Sequence, residues 1–146
     1  RTIKDDVRKQ VLSGIERLAK AAAIGANAPE PEFLIRNNEF TPALSNDPEL
    51  TQRLRKVWED KLGKEFVSMR EQVMWGEDFS RYGKAGIPSC MFFLGTAAKK
   101  KYEASLINNN ASLPSLHSEY YQPDMPVSLE TGINATVSAV LDLLKK

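Results

Sequence analysis

Apolar residues recur at three- and four-residue spacing in three long stretches of the chain, and each stretch predicts an amphipathic helix. The first covers residues 5–24, where Val7, Val11, Ile15, Leu18 and Ala22 make one stripe. Asp5 and Asp6 stand at its start, where the positive end of the helix dipole favours acids. Gly25 and Asn27 are stop signals. The second follows "SNDPEL". Asn46 or Asp47 can cap it and Pro48 suits its first turn. Leu50, Leu54, Val57, Trp58 and Leu62 line one face, and Gly63 ends it. The third runs over residues 128–144, with Leu129, Ile133, Val137, Val140, Leu141 and Leu144 as its stripe.

Shorter runs between these helices have strand character. Residues 32–36 and 65–69 are short strand candidates, and residues 1–3 can hold the tail of another. "IPSCMFFLG", residues 87–95, is nearly continuous in apolar character, the pattern of a strand covered on both faces. "GEDFSRYGKAG", residues 76–86, reads as a turn and a short helix. Residues 97–124 read as a loop, with the run Lys99 to Lys101 solvated and Asn108 to Asn110 supplying turn chemistry. A loop of that length inside a compact domain is uncommon and often functional. The alternation of strand and helix patterns predicts an α/β fold. The first 44 residues hold too few elements for a core of their own, so a domain boundary is expected within residues 42–47.

Composition narrows the function classes. The chain is 42% hydrophobic and 27% charged, and 20 basic against 19 acidic residues leave a net charge of +1. That balance gives no electrostatic footprint for nucleic acid or an anionic membrane. No apolar run approaches the roughly 20 residues needed to span a bilayer. No signal peptide is visible, but the chain opens on Arg1 without an initiator Met, so cytoplasm and periplasm both stay open. The single Cys90 excludes an internal disulfide and a zinc ribbon. Its apolar surroundings read as those of a buried, inert thiol.

Candidate chemistry centres on "SLHSEYYQPD", residues 115–124, which carries the chain's one histidine, His117. Imidazole is the commonest neutral metal ligand and the commonest general acid or base. A ligand needs two or three companions, and the chain offers only carboxylates such as Glu77, Asp78, Glu119 and Asp124. The alternative is a surface or structural histidine. In "MWGEDF", Gly76 precedes a helix start, so a ligand can approach the backbone and the free N–H groups suit an anion. Glu77 and Asp78 could instead cap that helix. Tyr120 and Tyr121 either wall a pocket or fold their loop onto the body of the protein. Arg36, with Asn37 and Asn38, either binds a carboxylate or makes a polar turn.

Taken in order, these segments resemble the C-terminal part of the dimetal amidohydrolases and aminoacylases, the superfamily of hippurate hydrolase, carboxypeptidase G and the indole-acetyl-amino-acid hydrolases. "RTIKDDVRKQVLSGIERLAKAAA" resembles the strand end and long helix of that superfamily's inserted lid domain. "TPALSNDPEL" resembles the return into the catalytic domain. "WGEDFSRYGKAGIPSCMFFLGT" resembles the Gly-Glu-Asp-Phe loop and the strand after it, and "LHSEYYQPD" resembles the Leu-His-Ser loop that precedes a last helix. The resemblance covers nearly the whole chain.

The resemblance implies a partial zinc-peptidase-like catalytic domain, a mixed sheet flanked by helices, over residues 45–146. It implies part of an α+β lid or dimerisation domain over residues 1–44. His117 would be a terminal metal ligand, and Gly76 and Glu77 would line the substrate pocket. No catalytic residue would lie in this portion, because the general base is expected upstream. The cofactors would be two divalent ions, zinc, manganese or cobalt, and the substrate an N-acyl amino acid. The missing N-terminal portion and a second copy of the chain are the implied polypeptide partners, and apolar faces on residues 7–22 and 33–35 would promote that association. Three features depart from the superfamily pattern. Residues 97–113 are longer and more polar than usual, Trp75 stands where a glycine is common, and Glu39 falls near a position that in some relatives carries a substrate-gripping arginine. The alternative reading is a non-catalytic α/β assembly or binding module.

Overall fold

The computed structural model describes residues 2–37, 39–107 and 112–145. Their regular elements are α1 (Asp5–Gly25), α2 (Pro48–Leu62), a 3₁₀ turn (Lys64–Phe66), α3 (Ser80–Lys84), α4 (Lys99–Ile107) and α5 (Met125–Leu143). The chain divides into two compact units. One comprises residues 1–50 and 70–91, the other residues 51–69 and 92–146.

No strand or sheet occurs among the described residues, which overturns the expected α/β fold, its mixed sheet flanked by helices and its α+β lid. The physical reason is that strand-forming residues specify only an extended backbone. The ladder itself needs the N–H and C=O groups of a neighbouring strand. Residues 32–36 form no regular element, and their end turns, with the Asn37 N–H donating to Ile35 O at 3.1 Å. Within residues 65–69 the backbone turns instead, with the Phe66 N–H donating to Gly63 O at 3.1 Å and the Val67 N–H to Lys64 O at 3.3 Å. Residues 87–94 form no regular element, and Ile87, Phe92 and Phe93 stay about half exposed, so this run is not covered on both faces. Arg1 and Asn108 to Asn110 lie outside the described residues, and Thr2 and Ile3 are irregular.

The three helices expected from periodicity all form, α1 and α5 without a side-chain cap at their start and α5 beginning at Met125, and α2 shows the expected capping. Asp47 Oδ1 accepts the Leu50 N–H at 2.8 Å and so satisfies one of the free donors at the start of α2. Gly63, at φ +103°, follows the last turn of α2 and donates its N–H to Glu59 O at 3.1 Å. A side chain there would be strained, and its Cβ would stand 2.9 Å from the Glu65 carboxylate. One helix was not expected: α4 occupies part of the stretch read as a loop, and the Lys99 to Lys101 run is its first turn. Its residues are mostly good helix formers, but no apolar stripe marks it and none of its residues is buried.

In the unit formed by residues 51–69 and 92–146, the buried apolar residues are Leu54 and Trp58 of α2 and Ala135 and Ala139 of α5. The Trp58 indole N–H donates to Ala135 O at 2.9 Å, and its ring lies 4.7 Å from that of Phe92, tilted by 48°. α5 therefore packs through its small residues. Ser128, Ala135 and Ala139 are buried, and a Cβ on Gly132 would come within 3.1 Å of Leu94 Cδ2. The stripe of larger residues lies on the other side, with Ile133 54% and Leu144 72% exposed. Close approach to a bulky indole needs small partners, and that requirement outranks the simple count of apolar atoms.

Arg53 ties α2 to the end of α5. Its Nε donates to Asp142 Oδ2 at 2.7 Å and its Nη2 to Asp142 O at 2.6 Å, while Lys145 Nζ lies 3.3 Å from Asp142 Oδ1. The Arg53 hydrogen bond, helped by Lys145, holds the Asp142 carboxyl below the ordinary 3.8 against the opposing effect of desolvation. A carboxyl lowered on folding adds stability above its unfolded value and loses it as the pH falls through the folded one. The difference in thermal midpoint between the wild type and Asp142→Asn is therefore expected to be small and positive near neutrality. It should shrink once the pH drops below 3.8 and vanish at still lower pH. Melting curves across that range check the sign.

In the other unit the start of α2 is anchored by side-chain mimicry of a strand pair. Asn46 Nδ2 donates to Met91 O at 2.8 Å, and Asn46 Oδ1 accepts the Met91 N–H at 2.9 Å. The Asp47 N–H donates to Ser89 O at 2.8 Å. Asn46→Ala would leave both Met91 backbone groups without these partners, at a cost of about 1–3 kcal/mol. Asn46→Asp keeps the acceptor and loses the donor, so its urea midpoint is expected between those of the wild type and the alanine variant. α1 contributes no buried residue. It is held at its start by an ion pair between Lys84 and Asp5 and by the Arg8 guanidinium, 4.0 Å above the Phe40 ring. Among the described residues, no helix is long and apolar enough to cross a membrane.

Candidate functional site

His117 lies between α4 and α5 in two linked turns. The Ser118 N–H donates to Ser115 O and the Tyr121 N–H to Ser118 O, both at 3.0 Å, and the Tyr120 N–H reaches Ser118 Oγ at 3.1 Å. His117 sits inside the first of these turns and is exposed. Thr96 ties the turns and the segment after them to the body of their unit. Its hydroxyl lies 2.5 Å from the Tyr121 hydroxyl, and its carbonyl accepts the Asp124 N–H at 2.8 Å. The two tyrosines thus divide the roles open to them. Tyr121 is half-buried and folds the loop down, while Tyr120 remains 74% exposed.

The imidazole makes no hydrogen bond or ion pair among the described residues, and neither Glu119 nor Asp124 accepts one from it. The same unit has an open hollow of about 240 Å³ lined by Ala98, Lys101, Gln122, Pro123 and Asp124, and His117 is not among those residues.

Gly76 and Glu77 belong to the other unit, in an exposed segment that leads into α3. Glu77 Oε1 accepts the Phe79 N–H at 3.4 Å, and Glu77 O accepts the Ser80 N–H at 3.1 Å. Asp78 O accepts the Arg81 N–H at 3.0 Å. Glu77 therefore shapes the turn ahead of α3, but its carboxylate reaches only the N–H of Phe79, which precedes the helix, and α3 has no side-chain cap; its second carboxylate oxygen has no partner among the described residues. Just upstream, the Arg70 guanidinium stands 4.7 Å over the Trp75 ring. Arg36 donates to Glu39 Oε2 at 3.0 Å across a turn, which favours the polar-turn reading of that segment. Asn38 lies outside the described residues. Cys90 is half-buried.

Two residues of these loops carry no signal in the sequence. Thr96 has its partners 25 or more positions further along the chain, so nothing local marks it as the anchor of the His117 loop. Ser80, the first residue of α3, is 2% exposed with no hydrogen-bond partner for its hydroxyl among the described residues.

A zinc site takes three or four protein donors. Among the described residues no group of three or more His, Cys, Asp or Glu could hold a metal ion. The described residues therefore do not assemble such a centre, around His117 or elsewhere.

A model of peptidase family M20/M25/M40 matches residues 13–141. The match takes in both candidate loops and runs from within α1 to within α5. Peptidases of this family generally use divalent metal ions.

Proposed function

The chain belongs to peptidase family M20/M25/M40, and from that premise we propose that it is the C-terminal portion of a metal-dependent amidohydrolase. The bond cleaved is the amide of an N-acyl amino acid or a related small molecule. Residues 1–44 are assigned to the lid or dimerisation domain and residues 45–146 to the catalytic domain. The observation that carries the reading is the Leu-His-Ser turn: an exposed imidazole with no hydrogen-bond or ion-pair partner among the described residues, on a loop pinned through Thr96.

In this reading His117 supplies a neutral ring nitrogen to one of two divalent ions, zinc, manganese or cobalt. Its other ring N–H is then free for an acceptor that fixes the tautomer. Gly76 offers an approach to the backbone and Glu77 its unused carboxylate oxygen on the substrate side, with Trp75 narrowing the pocket. When bound, the metal ions would polarise the scissile carbonyl and lower the pKa of a water. The general base and the remaining ligands come from outside these residues. The apolar stripes left exposed on α1 and α5 support a portion that associates with further polypeptide, either its upstream part or a second copy.

The test is hydrolysis of N-acetyl and N-benzoyl amino acids by the complete polypeptide, before and after chelation. Turnover is expected to vanish with the chelator and to return with zinc, manganese or cobalt. The 146-residue chain by itself is expected to show no turnover. Activity that survives chelation, or no hydrolysis with any of the three metals, would overturn the proposal. The second outcome would favour a non-catalytic assembly or binding module, a reading consistent with the use of Glu77 as a turn-shaping residue.

A further inference from the structure

We draw no further inference here: the strongest candidate, the apolar face of α5 on which Leu129, Ile133, Val137 and Val140 stand exposed, carries nothing because nothing in the structure shows what covers it.

Discussion

If the proposed function holds, replacing His117 by Ala in the full-length protein is expected to lower kcat/KM by at least about a hundredfold and to reduce the bound metal by about one ion per site. Residues that merely orient a ligand typically cost 10–100-fold in affinity or activity when removed, so a direct ligand should cost no less. The same variant should melt within about 0.5 kcal/mol of the wild type, the usual range for a surface change that removes no fold contact. His117 is exposed and makes no hydrogen bond among the described residues, which is why stability and activity should separate. Thr96→Val offers a contrast. It removes the hydroxyl partner of Tyr121 without touching the imidazole, so activity and loop order should fall together. Wild-type turnover and metal content in His117→Ala would remove His117 from the site.

Trp58→Ala is expected to have the largest effect on stability, about 3–5 kcal/mol. Total stabilities of ordinary domains are only about 5–15 kcal/mol, so most of the fold's margin would go. Trp58 is 8% exposed and packs against the Phe92 ring and the small-residue side of α5. Truncation opens a cavity there, because the helix backbones cannot close over it. Trp58→Phe separates packing from hydrogen bonding. It keeps an aromatic ring near Phe92 and loses the N–H that donates to Ala135 O. That carbonyl also accepts the Ser138 hydroxyl at 3.1 Å, so the loss should be nearer about 1 kcal/mol. Urea denaturation followed by far-ultraviolet circular dichroism reads both variants. A cost below about 1 kcal/mol for Trp58→Ala would mean that α2 and α5 do not pack as described.

What could be read from the sequence was local. Val7 to Ala22 and Leu50 to Leu62 carry helical periodicity, and Asp47 and Gly63 carry their own capping chemistry, so α1 and α2 emerged at nearly their observed bounds. α5 followed from its periodicity, though it begins at Met125 rather than near residue 128, and α3 was legible only as a short helix after a turn. α4 was missed because Lys99 to Ile107 has helix-forming residues but no stripe to reveal them. The sheet was misread because "IPSCMFFLG" describes one extended segment, whereas a ladder is a property of two. Its observed partners are the Asn46 side chain, about 45 residues away, and the Asp47 N–H, which no strand pattern anticipates. On α5 the larger apolar residues drew attention, and the buried face proved to be Ser128, Ala135 and Ala139.

The candidate site divides in the same way. The Gly76 and His117 loops were legible as short motifs, since each concentrates its residues within a few positions. The role of Thr96 was not, because the hydrogen bonds that hold the His117 loop come from far along the chain. The capping alternative for Glu77 is not realised as such: its carboxylate meets the N–H of Phe79 ahead of α3, which has no side-chain cap.

The measurement that tests the central claim most directly is anomalous X-ray diffraction at the metal edge from crystals of the complete, metal-loaded protein. The account predicts a divalent ion with a His117 ring nitrogen in its coordination shell, at about 2.0–2.1 Å if the metal is zinc. Metal ions that are fully coordinated by other residues, with the His117 ring turned to solvent, would contradict it.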